Sequence, residues 1–404
     1  MDGNGPPLAM AGKPCSFHTS YPFVNHPGAP GPWFNQAGSL NTTKNITFPS
    51  RDPSHFGEDV KARVAEYFQS RGLSEKANAA MRLKTVILFG ITFGAYGLML
   101  TNQVPLWGML GLAILMGMGI AGLGFSVAHD ALHGAYSNTA WVNRLLGFTF
   151  DICGANGYMW KITHNVIHHT YTNIEGIDED LSVSPILRLS PSAPLRPMHR
   201  FQHLYAFLAY STSTLFWVFV KDYKYFLQRD LGPYKNKKHP RSEVAILLVT
   251  KVLYYTWSLV IPLLVLNVTW WQFAIGYLAM HLTAGLILGV VFQLAHVVEG
   301  TEFPAPDAAG TMESAWLIHE MRTTADFGRN NALLNWYVGG LNFQVEHHLF
   351  PRTCSVHYPA ISPIVEQVAR ECGVPYHAAP TFRAAVRSHL MTLRRLGPQA
   401  LAAA

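Results

Sequence analysis

The sequence predicts an all-α integral membrane protein in which four transmembrane helices form two hairpins beneath a cytosolic helical cap. Three observations support this prediction. Only 13% of the 404 residues are charged, whereas soluble domains average about 25%. Four apolar runs are long enough to span a bilayer. The two shortest connections between these runs carry no charge.

The four runs pair along the chain. Residues 85–101 and 105–128 are separated by three residues, and residues 244–266 and 271–295 are joined by a few residues around Asn267. Nearly every Lys and Arg lies in the stretches outside these hairpins. By the positive-inside rule, all of those stretches face the cytosol. The chain is therefore expected to be a multi-pass protein of a bacterial inner membrane or the endoplasmic reticulum.

The remaining chain divides into segments around the membrane core. Residues 1–53 are rich in Gly, Pro and Asn and predict a mobile arm without a signal peptide. Residues 54–80 contain an amphipathic helix over 54–70, with Ser54 as its cap and Gly72 at its end. The core is expected over residues 81–298, with a cytosolic cap insertion at 130–243. A cytosolic C-terminal cap follows over 299–404, with helices at 361–372 and 382–396.

The insertion contains two weaker apolar stretches, residues 141–159 and 205–220. They are predicted to be interfacial or buried cap helices. The sequence alone leaves open whether either one crosses the membrane.

Charge and cysteine content exclude several classes of protein. A net charge of +6 suits a surface that lies on anionic lipid, and no nucleic-acid motif accompanies it. The four cysteines form no CxxC pair and predict neither a disulfide framework nor a zinc site.

Histidine is unusually abundant, with 19 residues, and most of the informative ones form three clusters. HDALH follows the second apolar run, HNVIHH lies in the insertion and QVEHH lies in the C-terminal cap. Residues four apart on a helix share a face, so each cluster can direct two rings at one point. A further histidine ends the fourth run. The candidate metal ligands are His129, His133, His164, His168, His169, His296, His347 and His348.

Eight imidazoles exceed the needs of one metal ion, because a structural zinc takes about four ligands. Two six-coordinate ions would use all eight and leave positions for water, dioxygen or Gln344. The sequence thus predicts a di-metal site in the cap. Imidazole suits iron, copper, zinc and nickel, so ligand type does not identify the metal. HExxH and the Glu-x-x-His of soluble di-iron proteins are absent from the sequence.

Other histidines are expected to be structural. His199 and His203 form an HxxxH without an adjoining pair. His281 lies fifteen residues before His296, about 22 Å away along a helix. No metal role is assigned to His319, His357, His377, His389 or the N-terminal histidines.

Ligating histidines usually donate their second ring N–H to a carboxylate. Asp130 and Glu346 are the best candidates for this role. Four other acidic residues lie beside the clusters, and for these a solvated loop charge is the alternative: Glu175, Asp178, Asp180 and Asp326.

HDALH, HNVIHH and QVEHH resemble the three histidine boxes of membrane fatty-acid desaturases, in order and spacing. The resemblance extends from about residue 48 to the tail and includes TYTNIEGIDEDL and GGLNFQVEHHLFP. Gln344 stands where the third box often begins with histidine. This replacement resembles the front-end branch, including bacterial linoleoyl-CoA desaturases, although sphingolipid desaturases share it.

The resemblance implies an O2-dependent enzyme that introduces a cis double bond into an acyl-CoA or acyl-lipid, with delta-6 or delta-5-like placement. It also implies two non-haem iron ions held by the eight histidines, with Gln344 in the catalytic set. Many front-end enzymes carry a fused cytochrome b5 with an HPGG motif. Here His26 begins only HPGA, so a separate donor is expected, either a ferredoxin or cytochrome b5.

Two alternatives remain at this point. A hydroxylase or sphingolipid desaturase of the same superfamily would use the same metals. A metal transporter or receptor would instead require ionisable residues along a membrane pathway. The runs contain only His281 and Lys251, and the latter is expected to snorkel to the interface.

Overall fold

The computed structural model describes residues 41–42, 46–181 and 185–397, so most of the predicted arm lies outside the described residues. Helices dominate the described part of the chain. The helical segments are Phe56–Ser70, Ala79–Leu100, Leu106–Leu123, Gly124–Ala128, His129–Leu132, Ala140–Gly147, Thr149–Ile152, Gly157–Trp160, Lys161–His168, Pro197–Phe201, Gln202–Ser211, Ser213–Phe216, Trp217–Lys221, Asp222–Leu227, Arg241–Tyr255, Thr256–Val260, Ile261–Val265, Trp270–His296, Trp316–Thr323, Ala332–Tyr337, Gln344–Leu349, Ser355–His357, Tyr358–Glu371 and Phe382–Leu396.

Four helices in the described residues are long and apolar enough to cross a membrane. In chain order, these first to fourth spans are Ala79–Leu100, Leu106–Leu132, Arg241–Val265 and Trp270–His296. The prediction of an all-α protein with four spans in two hairpins is confirmed.

Small residues let the second span pack closely against its neighbours. A Cβ atom at Gly119 would lie 2.2 Å from Oγ1 of Thr92 in the first span. A Cβ atom at Gly117 would lie 2.3 Å from the carbonyl oxygen of Met280 in the fourth span. Larger side chains at these positions would push the helices apart, since small residues allow close helix contact in membranes.

Asn102 joins the turns of the two hairpins. Its Nδ2 donates to the carbonyl oxygen of Val265 at 2.9 Å, and its Oδ1 accepts from the backbone N–H of Asn267 at 2.8 Å. Asn102 has a φ of 56°, a left-handed conformation that asparagine tolerates better than most residues. Both turns therefore lie together at the end of the spans remote from His129 and His296.

The insertion contains a bent pair of helices, Pro197–Ser211 and Ser213–Leu227, with a 56° angle between them. Thr214 Oγ1 donates to the carbonyl oxygen of His281 at 2.9 Å, so the bend lies beside the middle of the fourth span. By length and composition, this pair would count as a fifth span if treated as one segment. The stretch at 141–159 forms three short helices, and Trp141 and Leu145 there are exposed.

Lys251 does not snorkel, so that expectation is wrong. It is buried, and its Nζ donates to Asp222 at 2.8 Å and to the carbonyl oxygens of Gly154 and Val218. The physical reason is that the bent pair brings a carboxylate to the third span, which compensates the buried ammonium.

The predicted cap helices are present as Phe56–Ser70, Tyr358–Glu371 and Phe382–Leu396, and the first two pack against each other. The described strands form two small sheets. Ala325–Phe327 pairs in parallel with His377–Ala379, and Asn41–Thr42 pairs antiparallel with Tyr234–Lys235. Within the predicted arm, residues 46–50 are held in place. Thr47 exchanges backbone hydrogen bonds with Gly310 and Met312.

Candidate metal centre

Four separate parts of the fold bring the eight histidines together: the second span, the segment of the second cluster, the end of the fourth span and the helix of the third cluster. The second span contains a π-helical turn, Gly124–Ala128, and continues into His129–Leu132. The fourth span ends at His296, and the third cluster lies on the short helix Gln344–Leu349. Their rings meet in the interior, since the ring centroids of His129 and His347 are 4.5 Å apart.

The second cluster lies on a π-helix, Lys161–His168, rather than on the α-helix that its spacing predicts. The backbone N–H of His169 donates to the carbonyl oxygen of His164, five residues back. The wider turn places Nε2 of His169 3.3 Å from Nε2 of His164. Short π-helical turns occur mostly at functional sites. Here the π-helix directs three rings of one segment into the interior.

The eight histidines form two groups and a link between them. In each group the potential ligand atoms lie within 4.8 Å of one another. His169 lies between the groups, 4.3 Å from the ring of His348 and 4.6 Å from the ring of His347. The first group is His129, His133, His164 and His347, and the second is His168, His296 and His348.

The unpaired ring nitrogens show that these residues fit metal ions. A buried polar atom without a partner costs free energy, and such atoms are rare in native proteins. Seven such atoms are ring nitrogens of the clustered histidines, and imidazole nitrogen is a ligand that suits transition metals. The following atoms are buried and have no hydrogen-bond partner among the described residues: Nδ1 of His129 and His169, and Nε2 of His133, His168, His296, His347 and His348.

Four of these rings are anchored through Nδ1, which leaves Nε2 facing the interior. His168 contacts Oδ2 of Asp178 at 3.0 Å, and His348 contacts Oε2 of Glu320 at 2.6 Å. The other two use uncharged oxygens. His296 contacts the carbonyl oxygen of Thr323 at 3.3 Å, and His347 contacts the hydroxyl of Tyr358 at 3.2 Å. Such outer contacts fix the tautomer and orientation of metal-ligating histidines.

The acidic partners differ from those expected. Glu346 contacts no cluster histidine; its Oε1 accepts from the hydroxyl of Tyr376 at 2.9 Å. Asp130 is near the site, with Oδ1 3.7 Å from Nδ1 of His129, but its Oδ2 accepts from Ser355 and Cys354. Asp178 and Asp326 are buried, which excludes the alternative of a solvated loop charge for both.

Glu320 was missed entirely by the sequence interpretation. It lies 24 residues from the nearest box and gives no local signal other than a carboxylate within the apolar-polar pattern of the short helix Trp316–Thr323. Asp180 also lies beside the cluster, and its Oδ2 is 3.7 Å from Nδ1 of His164.

Burial keeps most of the cluster uncharged. It lowers the pKa of His133, His164, His169, His347 and His348 well below the ordinary value, and neighbouring rings add to the effect. His168 is different. Burial alone would lower its pKa, but the charge and hydrogen bond of Asp178 outweigh burial and raise it. Neutral imidazole is the form that binds metal.

Gln344 begins the third-cluster helix and is buried. It lies three residues before His347, so the two share a face.

His281 is remote from the cluster and contacts Thr214 and Tyr254 instead. His199 uses its ring nitrogens on the backbone of Arg196 and Pro185, which is a structural role.

Together, an apolar four-span fold and two adjoining groups of buried histidines define a membrane protein with a histidine-rich metal centre. A family model described as fatty acid desaturase matches residues 105–380. The chain belongs to the fatty acid desaturase family, and it is an oxidoreductase.

Similar proteins agree with this assignment. The sn-1 linoleoyl-lipid 6-desaturase of Synechocystis sp. is 37% identical over 360 residues, which cover 88% of this chain and 99% of that protein. A protein of the same name from Arthrospira platensis is 36% identical, with 88% and 96% covered. The acyl-lipid (8-3)-desaturase of Physcomitrium patens is 35% identical, with 84% and 71% covered. The prediction of a front-end fatty acyl desaturase is confirmed.

Proposed function

We propose that this chain is an O2-dependent 6-desaturase that acts on a linoleoyl chain at the sn-1 position of a glycerolipid. The single observation that carries the chemical part of this proposal is the pair of buried histidine groups with unpaired nitrogens. The regiochemistry and the lipid-linked substrate are taken from the two most similar relatives reported above.

In this proposal the histidines hold two iron ions. The first group would hold one ion and the second group the other, with His169 between them. Gln344 completes the catalytic set from the same helix as His347 and His348. When bound and reduced, the irons supply the dioxygen chemistry that removes two hydrogens from an unactivated methylene, which no side-chain acid or base can achieve. The residues concerned are His129, His133, His164, His168, His169, His296, Gln344, His347 and His348.

The protein's own contribution is to fix ring orientation and exclude water. Asp178 and Glu320 each receive or share the Nδ1 proton of a ring, so that Nε2 stays free on the interior side. Trp160 stacks on His164 with ring centroids 4.4 Å apart and covers one side of that ring.

A cavity near Trp160 has a volume of about 30 Å³, which is too small for a whole acyl chain. It lies between the second span, the fourth span and the bent pair, and Phe150 at its edge stacks on Trp160 at 5.2 Å. Its lining is mostly apolar and suits a short part of a hydrocarbon chain. The lining residues include Ile120, Gly124, Phe150, Trp217 and Leu288.

In this proposal the electrons come from a donor protein on the cytosolic side of the membrane. A separate ferredoxin or cytochrome b5 would donate them at the face that carries the histidines. Support comes from the charge distribution, since the two turns joined by Asn102 carry no charge and the opposite face carries most Lys and Arg.

To test the proposal, the protein is expressed in a host that contains ferredoxin or cytochrome b5 together with the matching reductase. Linoleate is supplied in the medium. Fatty acids released by an sn-1-specific lipase are analysed by gas chromatography–mass spectrometry with double-bond derivatisation. We expect a new double bond at carbon 6, and iron in the purified protein. A His347→Ala variant should lose both, while His203→Ala, a histidine outside the cluster, should retain both.

Other products would redirect the proposal. A double bond on the methyl side of the existing ones would contradict the 6-desaturase assignment. A hydroxylated chain would identify a hydroxylase. Well-expressed protein with neither product nor iron would overturn the metal assignment.

A further inference from the structure

A groove on the surface of the C-terminal helix Phe382–Leu396 lies outside the metal centre and has no part in the proposed reaction. Its volume is about 430 Å³. Three arginines line it, interleaved with the apolar side chains of Val386, Leu390 and Met391. Arg383, Arg387 and Arg394 are spaced at i, i+4 and i+11, so they share one face of the helix.

These three arginines are free to bind an anion. All three are exposed, and within the described residues no carboxylate lies within 4.0 Å of any of them. The ion pair of this helix belongs instead to Arg395, which contacts Glu299 at 3.3 Å. The helix contains four arginines and no acidic residue, so the groove is strongly positive.

The other face of the same helix is fixed to the membrane core. His389 contacts the carbonyl oxygen of Val297, next to the end of the fourth span, at 2.7 Å. It also contacts the hydroxyl of Tyr210 in the bent pair at 2.9 Å. The carbonyl oxygen of Leu393 accepts from Gln202 at the start of the bent pair. The groove is therefore held at the level where the spans leave the bilayer.

Exposed apolar surface borders the groove on both sides. On one side the first helix of the bent pair presents Leu204 and Leu208, which are 73% and 69% exposed. On the other side Leu333, on the helix Ala332–Tyr337, is 76% exposed. That helix contacts the second span, where Tyr337 donates to the carbonyl oxygen of Met118 at 2.9 Å. Both flanking helices therefore contact the membrane spans.

We propose that this groove binds the phosphate of an anionic phospholipid of the bilayer. Basic residues beside a membrane attract anionic headgroups, and this attraction depends mainly on their charge. Val386, Leu390 and Met391 contact the glycerol and upper acyl carbons, since an amphipathic basic helix lies in the interface with its apolar residues toward the chains. This site goes beyond the proposed desaturase function, and its test requires no desaturase activity.

The test uses the full-length protein in an uncharged detergent. Native mass spectrometry counts bound phosphatidylglycerol and phosphatidylcholine with identical acyl chains as each lipid is titrated. The variant Arg383→Gln/Arg387→Gln/Arg394→Gln is compared with the control Arg51→Gln/Arg71→Gln/Arg370→Gln, which removes the same charge from residues that do not line the groove. Melting temperature in detergent verifies that both variants fold.

We expect the groove variant to bind phosphatidylglycerol at least tenfold more weakly, because each basic residue near an anionic surface contributes a factor of about five. Its phosphatidylcholine binding should not change, and the control should behave as the unmodified protein. Replacement of the three arginines by lysine should restore binding to within about threefold.

Four outcomes would overturn the proposal. Equal phosphatidylglycerol affinity in the groove and control variants would show that the arginines do not bind lipid. Competition by glycerol 3-phosphate as effective as that by phosphatidylglycerol would indicate a soluble phosphate ligand. Unchanged lipid binding with slower reduction by an acidic electron-transfer protein would indicate a protein-docking surface. A lysine variant as weak as the glutamine variant would exclude simple charge attraction.

Discussion

Oε2 of Glu320 lies 2.6 Å from Nδ1 of His348, and both side chains are completely buried. The same carboxylate oxygen accepts a hydrogen bond from Thr172 at 2.8 Å. Because Nδ1 of His348 is occupied in this way, its Nε2 is left facing the other rings. A residue far from the boxes in sequence thereby sets the orientation of a proposed ligand.

Glu320→Gln keeps the volume of the side chain and replaces its carboxyl group with an amide. We expect iron affinity or product formation to fall about 10–100-fold, the usual cost of losing such a partner. Iron per protein, measured by elemental analysis across a chelator series, is the readout. Glu313→Gln, at a highly exposed position, is the control, and an equal loss there would refute the assigned role of Glu320.

His296 and His281 lie on the same span but should respond differently to alanine. His296→Ala removes a member of the second histidine group, so we expect loss of iron and of activity. His281→Ala should retain iron, because its ring contacts Tyr254 and Thr214 rather than the cluster. It should instead lower the free energy of unfolding by about 1–3 kcal/mol, since two buried partners lose their hydrogen bonds. Iron content and thermal unfolding measured together would separate the two roles, and iron loss in His281→Ala would contradict this assignment.

The Lys251–Asp222 pair is expected to respond asymmetrically. Lys251→Met leaves the Asp222 carboxylate buried without its partner and should destabilise the protein by about 3–5 kcal/mol. The double variant Lys251→Met/Asp222→Asn removes both charges and should recover much of that loss. Unfolding in a detergent–denaturant series provides the measurement. A double variant no more stable than the single one would show that the pair does not act as a unit.

Asn102 should matter for stability and not for the metal centre. Asn102→Ala removes two hydrogen bonds between the hairpin turns, and we expect a loss of about 1–2 kcal/mol. Asn102→Asp keeps the acceptor for Asn267 but loses the donor to Val265, so its effect should be intermediate. Thermal unfolding tests this order, with iron content unchanged throughout. Iron loss in either variant would show that the remote turn affects the cluster.

The features that the sequence predicted correctly are those with a local pattern. The four spans follow from apolar length, and their ends agree with the structure within six residues; the largest difference is at the first span, predicted from residue 85 and found from Ala79. The helix Phe56–Ser70 follows from its period and from Gly72, which has the expected positive φ. The histidine clusters were visible because each one repeats a rare residue at short spacing.

The features that the sequence did not predict depend on contacts between distant segments. Lys251 looked like a snorkelling residue because nothing near it in sequence is acidic; Asp222 reaches it only through the bent pair. Glu346 looked like a histidine partner because it adjoins two histidines, yet its side chain points to Tyr376. Neighbours in sequence point in different directions from a helix, so adjacency does not establish contact.

The π-helix at Lys161–His168 has a consequence for how this chain tolerates insertions and deletions. A π-helical turn holds about one residue more than an α-helical turn, and such turns interrupt otherwise regular helices. Because this segment already holds the extra residue, inserting one more would rotate every later side chain by about 100°. His168 and His169 would then leave the interior although no histidine had been removed. The length of this segment is therefore as much a part of the centre as the residues that line it.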